Sequence, residues 1–139
     1  LKLIDNMFPD GVRFSKLNAQ NAVSARILII DNIGMLASLY QYANLAYIGG
    51  GFGAGIHNTL EAAAFGIPVI FGPNFKKFQE AHNLLKIGAA RSINDESSLI
   101  TAFQLFKNNQ KAGQLALNYV AAQKGATTSI YNKIKGYLS

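Results

Sequence analysis

Cysteine is absent from the 139 residues, which removes disulfide scaffolds, thiolate metal sites and cysteine nucleophiles together. That absence is consistent with a cytoplasmic setting and goes no further. Charge is scarce as well. Only 14% of residues are Asp, Glu, Lys or Arg while half are hydrophobic, against about 25% charged in ordinary soluble domains. This composition excludes a disordered tail and implies that part of the surface is normally covered by another domain or a membrane. No run reaches the roughly 18 apolar residues of a membrane-spanning helix. The opening Leu1-Lys2-Leu3-Ile4-Asp5 lacks the charged, apolar and small-residue regions of a secretory signal, and no initiating Met precedes it. The expectation is a piece of a longer polypeptide, in the size range of one domain with a real core.

The net charge of +6 comes from 13 basic and 7 acidic residues. The basic residues are dispersed: Lys76-Lys77 is the one doublet, and Lys133 and Lys135 alternate with apolar neighbours. No nucleic-acid module signature accompanies them, so no nucleic-acid partner is expected. A solvated surface, an anionic membrane and an anionic substrate remain as readings of the charge.

Short apolar runs alternate with helical patterns. Arg26–Ile30 reads as a strand buried on both faces, because the run is continuous rather than alternating. A helical segment with Ile33, Leu36, Tyr40 and Ala43 on one face follows. Leu45–Ile48 is the next strand, then a helix from near His57 to Gly66, a C-terminal glycine. Ile67–Phe71 is a strand with Pro68 near its start, where a missing donor is tolerated. A helix over 76–87 stops at Gly88, Ala90–Ile93 is a short strand, and Asn94 or Asp95 caps the next helix. The remainder is helical, with breaks at Asn108-Asn109 and near Gly125, and Val12–Ser15 is a further candidate strand. The fold class expected is α/β: a Rossmann-like parallel sheet with helices on both faces and a helical C-terminus. Ligands of such sheets bind beyond the carboxyl ends of the strands. Three loops are expected on that rim: Asp31–Gly34, the glycines after Ile48, and Gly72-Pro73-Asn74.

The stretch IGGGFGAGIHNTLEAAAFGIPVIFGP, residues 48–73, carries the chemistry. A Walker loop needs Gly-Lys-Ser/Thr after its glycine, and none is present. Gly49, Gly51 and Ala54 fit G-x-G-x-x-A, but residues 69–74 lack the acid that would hold a dinucleotide ribose, which argues against nicotinamide or flavin. A glycine turn feeding a helix still offers unpaired N–H groups and partial positive charge to an anion. Gly53 and Gly55 would let the anion approach. His57 and Glu61, four residues apart, would share a helix face. Phosphate would sit at the glycines near His57 and Asn58, and Glu61 would accept from both hydroxyls of a ribose. The plainer readings are that Gly49–Gly51 serve close packing, that His57 is a cap or core residue, and that Glu61 is a surface acid. His82 has no acidic partner at metal spacing and reads as a solvated helix residue, and no metal site is expected.

Gly49-Gly50-Gly51-Phe52, then Gly55-Ile56-His57-Asn58-x-Leu60-Glu61-Ala62-Ala63, then Gly66-x-Pro68-Val69-Ile70-x-Gly72-Pro73 resembles the donor-binding half of glycosyltransferases with two Rossmann-like domains (GT-B). More narrowly it resembles the bacterial 3-deoxy-D-manno-octulosonic acid (Kdo) transferases. Ile30–Ala46 and Asn74–Ala81 extend the likeness on either side, with Asn32 and Met35 where that family's pattern has Thr and Glu. The resemblance implies that residues 1–139 form an N-terminally truncated donor domain whose acceptor domain is absent. It implies the donor CMP-Kdo, inverting transfer to a lipid A precursor without a metal or cofactor, and a parent protein peripheral to the cytoplasmic face of the inner membrane. Carried onto this chain, Ile33, Gly34 and Met35 would contact the cytosine. Gly51, Phe52, Gly53 and Gly55 would approach the phosphate or sugar acid, His57 and Asn58 would bind near them, and Glu61 would hold the ribose. No catalytic base is assigned here, because the family's base lies in the other domain. A UDP-sugar donor domain of the peptidoglycan lipid-intermediate type and a non-catalytic nucleotide-binding module are the alternatives.

Overall fold

The computed structural model describes residues 2–137, and the chain resolves into two compact units, Leu1–Leu39 and Tyr40–Ser139. In the first, α1 (Lys2–Met7), β1 (Val12–Arg13), α2 (Ala19–Ala22), β2 (Leu28–Ile29) and α3 (Leu36–Leu39) follow in order. The two strands pair in parallel, Val12 with Leu28 and Arg13 with Ile29. Asn18 starts α2 by accepting from the Gln20 and Asn21 amides, and Asn21 reaches back to the Asn18 amide. Arg13 forks onto Asp5, its Nε donating at 2.9 Å, and this pairing lowers the Asp5 pKa. Ser15 donates its amide (3.0 Å) and hydroxyl (2.6 Å) to Asp31, which lowers the Asp31 pKa. The run Arg26–Ile30 departs from expectation. Only Leu28–Ile29 are strand, and Ile29 is buried while Ile27 and Leu28 are exposed. A two-stranded sheet gives the run a single neighbour, so continuous apolarity here does not mean burial on both faces.

The second unit opens with a 3₁₀ turn at Tyr40–Tyr42 and continues through β3 (Ala46–Ile48), α4 (Leu60–Ala63), β4 (Val69–Phe71), α5 (Gln79–Lys86), β5 (Ala90–Ser92), α6 (Glu96–Phe106), α7 (Gln110–Ala122) and α8 (Ala126–Ile134). Its sheet is parallel in the order β3-β4-β5, with Ile48 beside Phe71 and Phe71 beside Ser92. The central strand is the most apolar because both its faces are covered. Val69 and Phe71 join a cluster with Ala62 and Ala63 of α4, Ala81 and Leu84 of α5, and Ala116 of α7. Ile70 joins the opposite cluster with Ile93, Ala102 and Phe106 of α6, and Ala112 of α7. The expected α/β architecture, parallel strands flanked by helices, is therefore present, distributed over two sheets.

The punctuation follows the sequence. Pro68 precedes β4, and its carbonyl accepts from the Ala46 amide at 3.1 Å. Asp95 caps α6, accepting from the Ser98 amide at 2.7 Å, and the Ser98 side chain bonds back to the cap. The break at Asn108-Asn109 is where Asn109 caps α7 through the Ala112 amide at 3.0 Å. Gly66 turns the chain out of α4 at φ +72°. There α7 comes so close that a Cβ on Gly113 would lie 2.2 Å from the Gly66 carbonyl oxygen.

Candidate functional site

At the carboxyl ends of β3 and β4, the loops that follow Ile48 and Phe71 meet backbone to backbone. A Cβ on Gly51 would stand 2.5 Å from the Gly72 nitrogen, and one on Gly72 would stand 2.6 Å from the Gly51 carbonyl carbon. Glycine is required at both by this contact. Asn74 then fastens the loops together. Its amide donates to the Gly51 carbonyl at 2.9 Å, its carbonyl accepts from the Ile56 amide at 3.2 Å, and its side-chain Nδ2 donates to the Gly53 carbonyl at 2.7 Å. Within the first loop the amides of Gly53 and Gly55 donate to the Gly50 carbonyl, and that of His57 donates to the Gly49 carbonyl at 3.1 Å. The turn is a fixed shelf, with its internal hydrogen bonds made.

The candidate side chains of this unit stand around that shelf. His57 is exposed, and its Cδ2 lies 3.4 Å from where a Cβ on Gly50 would be, so the ring rests over the glycine turn. Asn58 accepts from the Leu60 amide at 2.9 Å and donates to Glu61 Oε1 at 3.0 Å. Glu61 is exposed, with one carboxylate oxygen held and the other without a hydrogen-bond partner among the described residues. Phe52 projects into solvent. Gly53 is open: a Cβ there would meet only the Gly50 carbonyl oxygen, at 3.7 Å. Gly55, at φ +137°, packs against Phe78.

One expectation is corrected. His57 is not on a helix: α4 begins at Leu60, after Thr59 in the cap position, so His57 and Glu61 do not share a helical face. The side chain of Asn58 makes a local turn instead, and takes the Leu60 amide that an anion would have used. With one turn of α4, the partial charge of its N-terminus is a minor term, since the dipole sums over aligned peptides. On the rim, the loops after Ile48 and Phe71 converge. Asp31–Gly34 lie in the first unit. There Ile33 is fully exposed, Gly34 adopts φ +97° with open space around it, and Asn32 Nδ2 donates to Met35 Sδ at 2.9 Å.

Other residues at the site escaped the sequence reading. Asn74 was legible only as the third residue of a turn, though an Asn after Gly-Pro was the available signal. Tyr40 is buried, and burial followed by the neighbouring Glu61 charge raises its pKa. Thr59 is fully buried, and its Oγ1 has no hydrogen-bond partner among the described residues. His82 is exposed as expected. Its Nε2 lies 3.2 Å from the Lys76 carbonyl, and its ring lies 5.0 Å from that of Phe75.

A three-stranded parallel sheet with helices on both faces and glycine loops at its carboxyl edge is a Rossmann-like α/β domain. Among solved structures, the C-terminal CMP-Kdo binding domain of WaaA from Acinetobacter baumannii has this fold, with a TM-score of 0.70 at 18% identity over 87% of this chain and 66% of that one. No protein-family model matches the chain. The curated relatives are Kdo transferases, which are glycosyltransferases. That of Chlamydia pneumoniae is 29% identical over 119 residues, 81% of this chain and 27% of the relative. That of Aquifex aeolicus is 38% identical over 77 residues, 54% of this chain and 22% of the relative. The chain is a relative of the Kdo transferases, as its motifs indicated, and it spans about a quarter of the length of those it matches.

Proposed function

We propose that this chain is the donor-binding part of a Kdo transferase of GT-B architecture, and that it binds CMP-Kdo. The parent protein transfers Kdo to a lipid A precursor, with inversion and without a metal, from the cytoplasmic face of the inner membrane. The observation that carries this reading is the match to the Chlamydia pneumoniae Kdo transferase. Covering 81% of a 139-residue chain, its span necessarily includes the glycine shelf and Glu61. Among the described residues no helix is long and apolar enough to cross a membrane; the peripheral placement of the parent rests on the resemblance alone.

The shelf suits the task in physical terms. Glu61, oriented by the Asn58 amide, keeps an oxygen for the ribose hydroxyls. His57, its ring over Gly50, and the neighbouring Asn58 supply polar groups at the glycine turn, where the phosphate of the donor would lie in this proposal. As the sugar departs, negative charge gathers on that phosphate, and fixed donors aimed at it stabilise the transition state more than the ground state. Ile33, Gly34 and Met35 contact the base in this proposal. The group that activates the acceptor hydroxyl is assigned to no residue of this chain, so the chain alone binds donor without transferring it.

Calorimetric titration with CMP, UMP and NAD, on the wild type and on Glu61→Ala, tests the reading. Weak CMP binding is expected, with Kd on the order of 0.1–1 mM, preferred over UMP and lost in Glu61→Ala. Preference for UMP would instead indicate a UDP-sugar donor domain. Absence of nucleotide binding by the folded protein would refute the donor-site reading.

A further inference from the structure

Beside the glycine shelf lies a cavity of about 290 Å³. Its floor is Gly53, Ala54 and Gly55, and its far wall is formed by Lys76, Lys77 and Phe78, with Asn74 between them. The floor carries no side chain beyond a methyl group, and no carboxylate lines the cavity. Both lysines are exposed, and neither has an ion pair among the described residues. Unpaired ammonium groups on one wall of a concave site concentrate anions there.

The wall is also held in place. Asn74 bonds across to Gly51, Gly53 and Ile56, the Phe78 amide donates to the Phe75 carbonyl at 2.9 Å, and the Phe78 ring packs on Gly55. His82, from the first turn of α5, meets the Lys76 carbonyl. The backbone carrying the two lysines is therefore tied to the shelf on one side and to α5 on the other. Only the flexible lysine side chains remain to adjust to a ligand.

We propose that Lys76 and Lys77 form an anion subsite adjoining the glycine shelf, which takes the acidic oxygens of the bound donor, those of its phosphate or of the carboxylate on its sugar. This rests on the donor-site reading above and adds to it residues on a separate loop from His57, Asn58 and Glu61. Where the sugar carboxylate is the partner, the lysines select for an acidic nucleotide-linked sugar over a neutral one. Each ammonium donates to an anionic oxygen across a floor that offers no competing side chain.

The test compares cytidine, CMP and a CMP-linked 3-deoxy-ulosonic acid as ligands of the wild type and of the Lys76→Ala/Lys77→Ala double variant, at low and high salt. Circular dichroism confirms the fold of the variant. The wild type should bind the acidic ligands more tightly than cytidine, by a margin that shrinks as salt rises. In the variant, cytidine binding should be unchanged. If the phosphate is the partner, CMP binding falls about tenfold. If the sugar carboxylate is the partner, CMP is held as before and the CMP-linked acid falls about tenfold. A variant that binds all three ligands like the wild type overturns the lysine subsite while leaving the nucleotide site intact. A wild type that binds none of them, cytidine included, overturns the donor-site reading and the subsite with it. A folded variant that loses cytidine equally shows a structural role and also overturns the subsite.

Discussion

Gly51 and Gly53 lie two residues apart in one loop, and the same substitution should have opposite consequences at the two. In Gly51→Ala the new Cβ would stand 2.5, 2.7 and 2.9 Å from the Gly72 nitrogen, Cα and carbonyl carbon. All three are backbone atoms, so no side chain can turn aside, and the loops must part. Overpacking of this kind costs about 1–3 kcal/mol, and the lower entropy of the unfolded alanine chain returns only about 0.4–1 kcal/mol where the native conformation allows it. The clash wins. At about 3–5 °C per kcal/mol for a chain of this length, Gly51→Ala should lower Tm by about 3–15 °C. In Gly53→Ala the nearest atom is the Gly50 carbonyl oxygen at 3.7 Å, an ordinary contact. Tm should stay within about 2 °C of wild type, while the methyl, projecting over the open part of the shelf, should weaken CMP binding about tenfold. Thermal denaturation followed by circular dichroism, with calorimetric titration of CMP, reads both. A Gly51→Ala protein as stable as the wild type would refute the loop-to-loop contact. A stable Gly53→Ala protein with undiminished CMP affinity would show that the ligand does not lie over Gly53.

Two further outcomes are expected. Thr59→Val should stabilise the protein by about 1 kcal/mol in urea denaturation, because it removes a buried hydroxyl without a partner; a loss of stability would mean that the hydroxyl is hydrogen-bonded. Lowering the pH should loosen the first unit, with two carboxylates of lowered pKa, more than the second, with Asp95 alone, judged by amide exchange at Val12, Arg13, Leu28 and Ile29 against Val69–Phe71. The Asp5 and Asp31 pKa values are lowered in the fold by Arg13 and Ser15 respectively. Their contribution is therefore complete above the unfolded value of about 3.9 and is lost as pH falls through the lower folded values. Equal protection of both units below about pH 4 would refute this.

The second unit was largely legible because its signals are local. The unbroken run Val69-Ile70-Phe71, the capping acid Asp95, the break at Asn109 and the exit at Gly66 each act within a few residues. What escaped depends on competition or distance. The spacing of His57 and Glu61 fits a helix, but the Asn58 side chain claims the Leu60 amide first and delays α4. The need for glycine at position 51 arises from Gly72, far along the chain, so the loop could be read equally as a ligand seat or a packing device. Contact with Gly72 gives Gly51 a packing role, and the surroundings of Gly53 are open. Apolarity misled at Ile27 and Leu28, where a continuous run lies in a two-stranded sheet with one neighbour.

The alternation along β4 has a consequence for how the second unit comes apart. Val69 and Phe71 face one cluster and Ile70 the other, while α7 contributes Ala116 to the first and Ala112 to the second. Neither layer can melt alone, because each shares a strand and a helix with its neighbour. A cavity opened on one side, as by truncating Phe106, is therefore felt by the sheet that carries the glycine shelf on its edge. The amides of β4 should be the last in this unit to exchange with solvent, and at the free energy of its complete unfolding.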